Sequence, residues 1–241
     1  MAKHTTPMEL YIEAAQVFHW ATKRHFQLWF TGQSTTRHRR TETVLRRLAK
    51  RGKLRSVLYG KKLIYALPRK TKGFDELTGL SKVAHGLACT ECLVRTYRSR
   101  MDGVVVAERF FYGLGSVPEW GIIYPNGTIL LFEFCTKNNF FFSGNMKGKL
   151  QAYQRNIEKI ETKFNAKAVV VFVIDVPQDV VERYADSLGS QAGSEEHFLS
   201  KSFFTDYRTF LNVPVGDQLK TPIYYWGFDG ELYPLSQGET E

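Results

Sequence analysis

Pro125-Asn126-Gly127 stands between two apolar runs, 120–124 and 128–135, and no other triplet restricts the fold as much. Proline suits the second position of a type I turn and glycine the left-handed residue that completes it with a bulge, so a hairpin with a three-residue loop is predicted. Counting outward from that loop pairs Tyr124 with Thr128 and Glu119 with Glu133. Strand side chains alternate, so a two-residue loop would send these carboxylates to opposite faces. The three-residue loop sets them side by side, with Cβ atoms about 4.5–5.5 Å apart. Two acids so placed repel one another unless something neutralises them. A divalent cation is one candidate, and hard oxygen ligands favour magnesium or manganese. The competing reading makes Glu119 and Glu133 ordinary positions on half-exposed strands.

The flanking sequence extends this hairpin into a domain. Residues 81–101, which include Glu91, read as a helix and residues 104–111 as a strand. Residues 147–164 carry Leu150, Tyr153, Ile157, Ile160 and Phe164 at alternating steps of three and four, the stripe of an amphipathic helix. Residues 166–175 form a buried strand. The order is α-β-β-β-α-β, followed by a helix near 178–188, a Gly/Ser/Glu loop at 189–196 and a last hairpin around Tyr224 to Tyr233. With 18 Phe, 12 Tyr and 4 Trp, the chain can bury a substantial core.

Charge divides the chain unevenly. Residues 1–72 hold 17 Lys and Arg against three acids (Glu9, Glu13, Glu42), while the rest holds 16 against 21. A basic head on a mildly acidic body is the footprint of a protein that meets a polyanion, most often nucleic acid. Within the head, residues 8–18 read as a helix, Thr22 caps a second helix running to Phe30, and Thr31-Gly32-Gln33 breaks it. A third helix, 35–50, buries Thr41, Val44, Leu45 and Leu48 and turns Arg39, Thr43, Arg46 and Lys50 outward, with Arg40 and Arg47 flanking. Two short strands, 54–58 and 63–67, follow, joined by Tyr59-Gly60-Lys61-Lys62. Three helices and a hairpin in this order are those of a winged helix-turn-helix. In that fold the third helix enters the major groove of double-stranded DNA while Lys61 and Lys62 meet phosphate. The alternative is a three-helix bundle whose cationic face is merely solvated.

The α-β-β-β-α-β order, with Val117-Pro118-Glu119 and Glu133-Phe134-Cys135, resembles the restriction-endonuclease-like PD-(D/E)xK fold. Joined to a winged helix it is similar to plasmid replication-relaxation proteins, whose downstream Lys-Leu-x-x-Tyr helix would here be Lys149-Leu150-Gln151-Ala152-Tyr153. The resemblance covers roughly residues 8–175. It implies an α+β or α/β chain with a winged helix over 1–70, a linker over 71–80 and a nuclease-like domain with a mixed sheet over 81–241. It also implies that Glu119 and Glu133 bind Mg or Mn, that Glu91 matches the acid of the first helix, and that the chain acts in mobile-element replication or transfer, possible partners being a second copy or another replication or transfer protein. The sequence departs from the pattern twice: Glu119 replaces an aspartate, and Cys135 stands where the motif lysine belongs. A neutral thiol cannot stabilise a phosphorane as an ammonium does. Either Lys149, near the start of its helix, or Lys137 supplies the charge, or catalysis is lost and the chain is a DNA-binding regulator or replication accessory protein.

Other candidates compete with packing. Cys89-x-x-Cys92 has no second pair or histidine at zinc spacing. Tyr97, Tyr112 and Tyr153 are candidates for relaxase-type nucleophiles, though aromatics at these spacings are more often core, and Phe140-Phe141-Phe142 is a candidate stacking surface for unpaired bases, for which core packing or a partner contact is the safer reading. Three cysteines and the lack of an apolar N-terminal segment or a bilayer-length run lead to the expectation of a cytoplasmic protein with no membrane partner.

Overall fold

The computed structural model describes residues 6–30, 35–68, 80–99, 103–137, 140, 145–189, 202–214, 218, 224–226 and 232–234. The chain is mixed α and β and divides into two compact units, Met1–Tyr97 and Arg98–Glu241. Most of the expected linker at 71–80 lies outside the described residues, as do 189–196 apart from residue 189, and Phe141 and Phe142.

In the first unit, Thr6 caps α1 (Pro7–Val17) through a reciprocal box with Glu9. The short strand β1 (Ala21–Thr22) leads into α2 (Lys23–Trp29), where Thr22 accepts from the His25 amide and the His25 ring accepts from the Thr22 amide. The third helix, α3 (Thr35–Lys50), buries Thr41, Leu45 and Leu48. The Thr41 hydroxyl is satisfied by the Tyr11 phenol at 2.9 Å, which is why a polar residue can belong to the buried stripe. Strands β2 (Arg55–Tyr59) and β3 (Lys62–Ala66) complete a three-stranded sheet of order β1-β3-β2. Their turn is tighter than the four residues expected. Tyr59 pairs with Lys62, leaving only Gly60 and Lys61 at the tip, and Gly60 takes a φ of +58°.

The next helix, α4 (Leu80–Ser99), was assigned on sequence to the second domain, yet all of it to Tyr97 belongs to the first unit. Packing explains this. Val83 and Leu87 lie against Trp20, Ile64 and Ala66, and Tyr97 stacks on Trp29 with ring centroids 3.7 Å apart. A Cβ on Gly86 would stand 2.9 Å from the Trp20 ring, so the bare glycine is what admits the indole.

The second unit is built on a seven-stranded mixed sheet of order β10-β9-β8-β7-β6-β5-β4. Its strands are β4 (Val104–Ala107), β5 (Trp120–Ile123), β6 (Thr128–Cys135), β7 (Lys167–Ile174), β8 (Ser202–Asp206), β9 (Tyr224–Trp226) and β10 (Leu232–Pro234). Adjacent strands from β6 to β8 run parallel and the others antiparallel. The helices are α5 (Asn145–Phe164), α6 (Gln178–Gly189) and α7 (Tyr207–Asn212). Strand β4 is shorter than the expected 104–111. Ala107 already pairs with Trp120, the first residue of β5, so no ladder partner remains, and Glu108–Phe111 coils into a 3-10 turn that buries Phe111. Of the α5 stripe, Leu150, Tyr153, Ile157 and Ile160 are buried and Phe164 partly so. Neither β8 nor α7 was anticipated. No helix among the described residues is long and apolar enough to cross a membrane.

Candidate functional site

The turn that carried the sequence argument has the geometry it requires. Gly127 takes a φ of +78°, its amide donates to the Tyr124 carbonyl at 3.1 Å, and Tyr124 donates to Thr128 at 2.8 Å. Trp120 then pairs with Phe132, and the Glu119 amide donates to the Phe132 carbonyl at 2.9 Å. The ladder ends at the Trp120–Phe132 pair, and the Glu119 amide, just before β5, bonds to the same Phe132 carbonyl rather than continuing the register to Glu133, so the expected Glu119–Glu133 pairing is not part of the ladder.

Glu133 is buried, with only 3% of its surface exposed, and both carboxylate oxygens are engaged from α5. The Lys149 ammonium donates to Oε2, and the Tyr153 phenol donates to Oε1 at 2.7 Å. Lys149 and Tyr153 are four residues apart and so project from one face of α5. Burial pushes the Glu133 carboxyl up; Lys149 and Tyr153 oppose this while the charge of Glu119 adds to it. Burial alone would pull the Lys149 ammonium down, but Glu133, with Cys135 and Glu119, reverses the sign and holds it above the ordinary lysine value. Tyr153, also buried beside Glu133, is raised.

Cys135 shares a strand face with Glu133, and its thiol lies 3.7 Å from the Met146 sulfur. Burial pushes that thiol up to about 12, so it stays protonated at neutral pH. Lys149 opposes this shift in Cys135. The ammonium from α5 is therefore near enough for its charge to act on Cys135, and the charge of Glu119 acts on both Glu133 and Lys149. Lys137 is exposed. Glu133, buried, and Glu119, half-buried, offer carboxylate oxygens, the hard donors that divalent cations take. A second lone pair on each Glu133 oxygen leaves coordination open beside the existing hydrogen bonds.

Tyr153 was read from the sequence as a core position, and it is one; its hydroxyl also holds the acid. The available signal was its spacing from Lys149 on the helix that follows the acidic strand. Glu91 belongs to the first unit, where it joins α4 to α2. The His25 Nε2 donates to one oxygen at 2.9 Å, since Nδ1 accepts from Thr22, and Arg95 donates to the other at 2.7 Å. Burial would raise its carboxyl, but His25 and Arg95 outweigh that and hold it down at about 2.

On α3, Arg40, Thr43, Arg46, Arg47 and Lys50 are exposed, as are Lys61 and Lys62 at the hairpin; the side chain of Arg39 lies outside the described residues. One acid interrupts the cations. Glu42 pairs with Arg46 at 2.6 Å and with Lys23 at 3.1 Å, and the Lys23 hydrogen bond leads in lowering its carboxyl. In comparisons with known proteins, no family model matches the chain and no curated protein matches it.

Proposed function

We propose that this is a DNA-binding protein of mobile-element replication or transfer, in which a winged helix holds the duplex and a nuclease-like second unit cleaves a phosphodiester with the help of Mg or Mn. The observation that carries the reading is the Lys149 ammonium held on the buried Glu133 carboxylate of β6, with the charge of Glu119 acting on both. Support for the fold comes from the β4-β5-β6 meander followed by α5 and a parallel β7. Glu119 and Glu133 would hold the cation, whose chemistry when bound is to lower the pKa of water and offset phosphorane charge. Lys149, paired with Glu133 and with its side chain 31% exposed, would offer its positive charge to a phosphate oxygen. Tyr153 fixes the Glu133 carboxylate from the buried side.

Incubation with supercoiled plasmid and manganese tests this. Nicked circles are expected from the native chain, with at least a hundredfold loss in Glu133→Gln and in Lys149→Ala. Nicking that survives Glu133→Gln sinks the catalytic site. The second reading, a non-enzymatic regulator, draws on the fact that Lys149 and Tyr153 already satisfy Glu133 without a metal; it expects no nicking with any divalent ion.

The DNA-binding part has its own test. Glu42→Gln removes the acid that holds Arg46 and Lys23, so duplex affinity at low salt is expected to rise about threefold, the scale of an exposed ion pair. Fluorescence anisotropy would read the change, and weaker binding would contradict it.

A further inference from the structure

The hairpin of the first unit carries two leucines that its core does not use. Leu58 is 70% exposed and Leu63 36%, and the two are register partners, so they stand side by side on one face of the ribbon. The next pair on that face is Ser56 with Tyr65. Tyr65 is buried, its ring packs edge-on to Phe26 of α2, and it lies close enough to α3 for the charge of Arg46 to act on it. The leucines therefore occupy the hairpin face that is turned toward α3, two residues nearer the tip, a distance of about 6.6 Å. The opposite face, with Val57, Tyr59, Ile64 and Ala66, is the one packed in the cluster with Trp20 and α4.

Phosphate contact explains Lys61 and Lys62 but not an exposed leucine pair beside them. We propose that Leu58 and Leu63 form an apolar wedge that enters the minor groove of bound duplex and partly unstacks a base step, kinking the DNA. The proposal rests on the nucleic-acid reading of this unit and deepens it. Apolar side chains inserted between base steps bend duplexes in this way, most readily at flexible pyrimidine–purine steps. Charge selects DNA over a protein partner: residues 51–67 carry Arg51, Lys53, Arg55, Lys61 and Lys62 and no acid, so the leucines sit in a cationic field.

The test uses the full chain and a 30-base-pair duplex labelled at both ends for energy transfer, with either one central TA step or an uninterrupted A-tract. The native chain is expected to shorten the end-to-end distance of the TA duplex and to bind it about tenfold more tightly than the A-tract. The double change Leu58→Ser, Leu63→Ser, at exposed positions, is expected to abolish the shortening and the preference while the salt dependence of binding stays the same. Lys61→Ala with Lys62→Ala should do the reverse, flattening the log-log salt plot by about 1.8 while saturating protein still bends the duplex. Binding without bending by the native chain overturns the wedge alone. Bending retained by the serine variant also overturns it, and if that variant dissociates a dimer, the leucines belong to a second copy. No duplex binding at all by the native chain overturns the reading of the unit and the wedge with it.

Discussion

Lys149→Ala is expected to destabilise the second unit by about 3 kcal/mol at pH 8, the low end of the cost of removing one partner from a buried ion pair. The cost stays at the low end because the Glu133 carboxyl, already pushed up by burial, can take a proton instead of remaining charged and unpaired. The pH dependence has a definite sign. Without the ammonium, the folded-state pKa of Glu133 climbs further above its unfolded value, so the folded variant binds more protons than the unfolded one and loses stability as pH rises. The deficit relative to the native chain is therefore largest above the raised pKa and shrinks toward the ordinary carboxylate value near 4.5. Calorimetry at pH 8 and pH 5 checks this. A deficit that does not change with pH would mean that Lys149 contributes by packing alone. Adding Glu133→Leu to the variant should recover most of the loss, because it removes the stranded acid.

Replacing Arg40, Arg47 and Lys50 together by alanine is expected to weaken duplex binding by about 10²–10³-fold at 0.1 M salt. Each phosphate contact contributes about 0.9 to the slope of log affinity against log salt, so three lost contacts flatten it by about 2.7 and the curves converge near 1 M. All three side chains are exposed on α3, and the described residues include no acid paired with them comparable to Glu42 beside Arg46. An unchanged slope would mean that the cationic face is only solvated. A loss confined to particular sequences would instead assign one of the three to a base edge.

What was legible in the sequence was local. The turn at 125–127 set the register of β5 and β6 because proline and glycine restrict φ where they stand, and the α5 stripe declared its buried face by periodicity. What escaped depended on partners distant in sequence. The end of β4 is set by the length of β5, and β8, a five-residue strand, owes its state to parallel pairing with β7 along Val170 to Ile174. Lys149 was legible as one of two lysines able to supply the charge, but the hold of Tyr153 on Glu133 was not, since both residues arrive from a helix ten residues beyond the strand and an aromatic on its apolar stripe reads as packing. The hairpin tip was misjudged by a residue on each side because Gly60 closes it in two.

The place of α4 bears on how such a chain can be cut and recombined. Charge changes at residue 72, yet the hydrophobic cluster of Trp20, Ile64 and Ala66 includes Val83 and takes Leu87 against it, both further along the chain. A gene segment exchanged at the charge boundary would strand part of that cluster in one product. The segment that would stay intact in such an exchange is accordingly the stretch that runs through Tyr97, the basic head together with the helix that follows it.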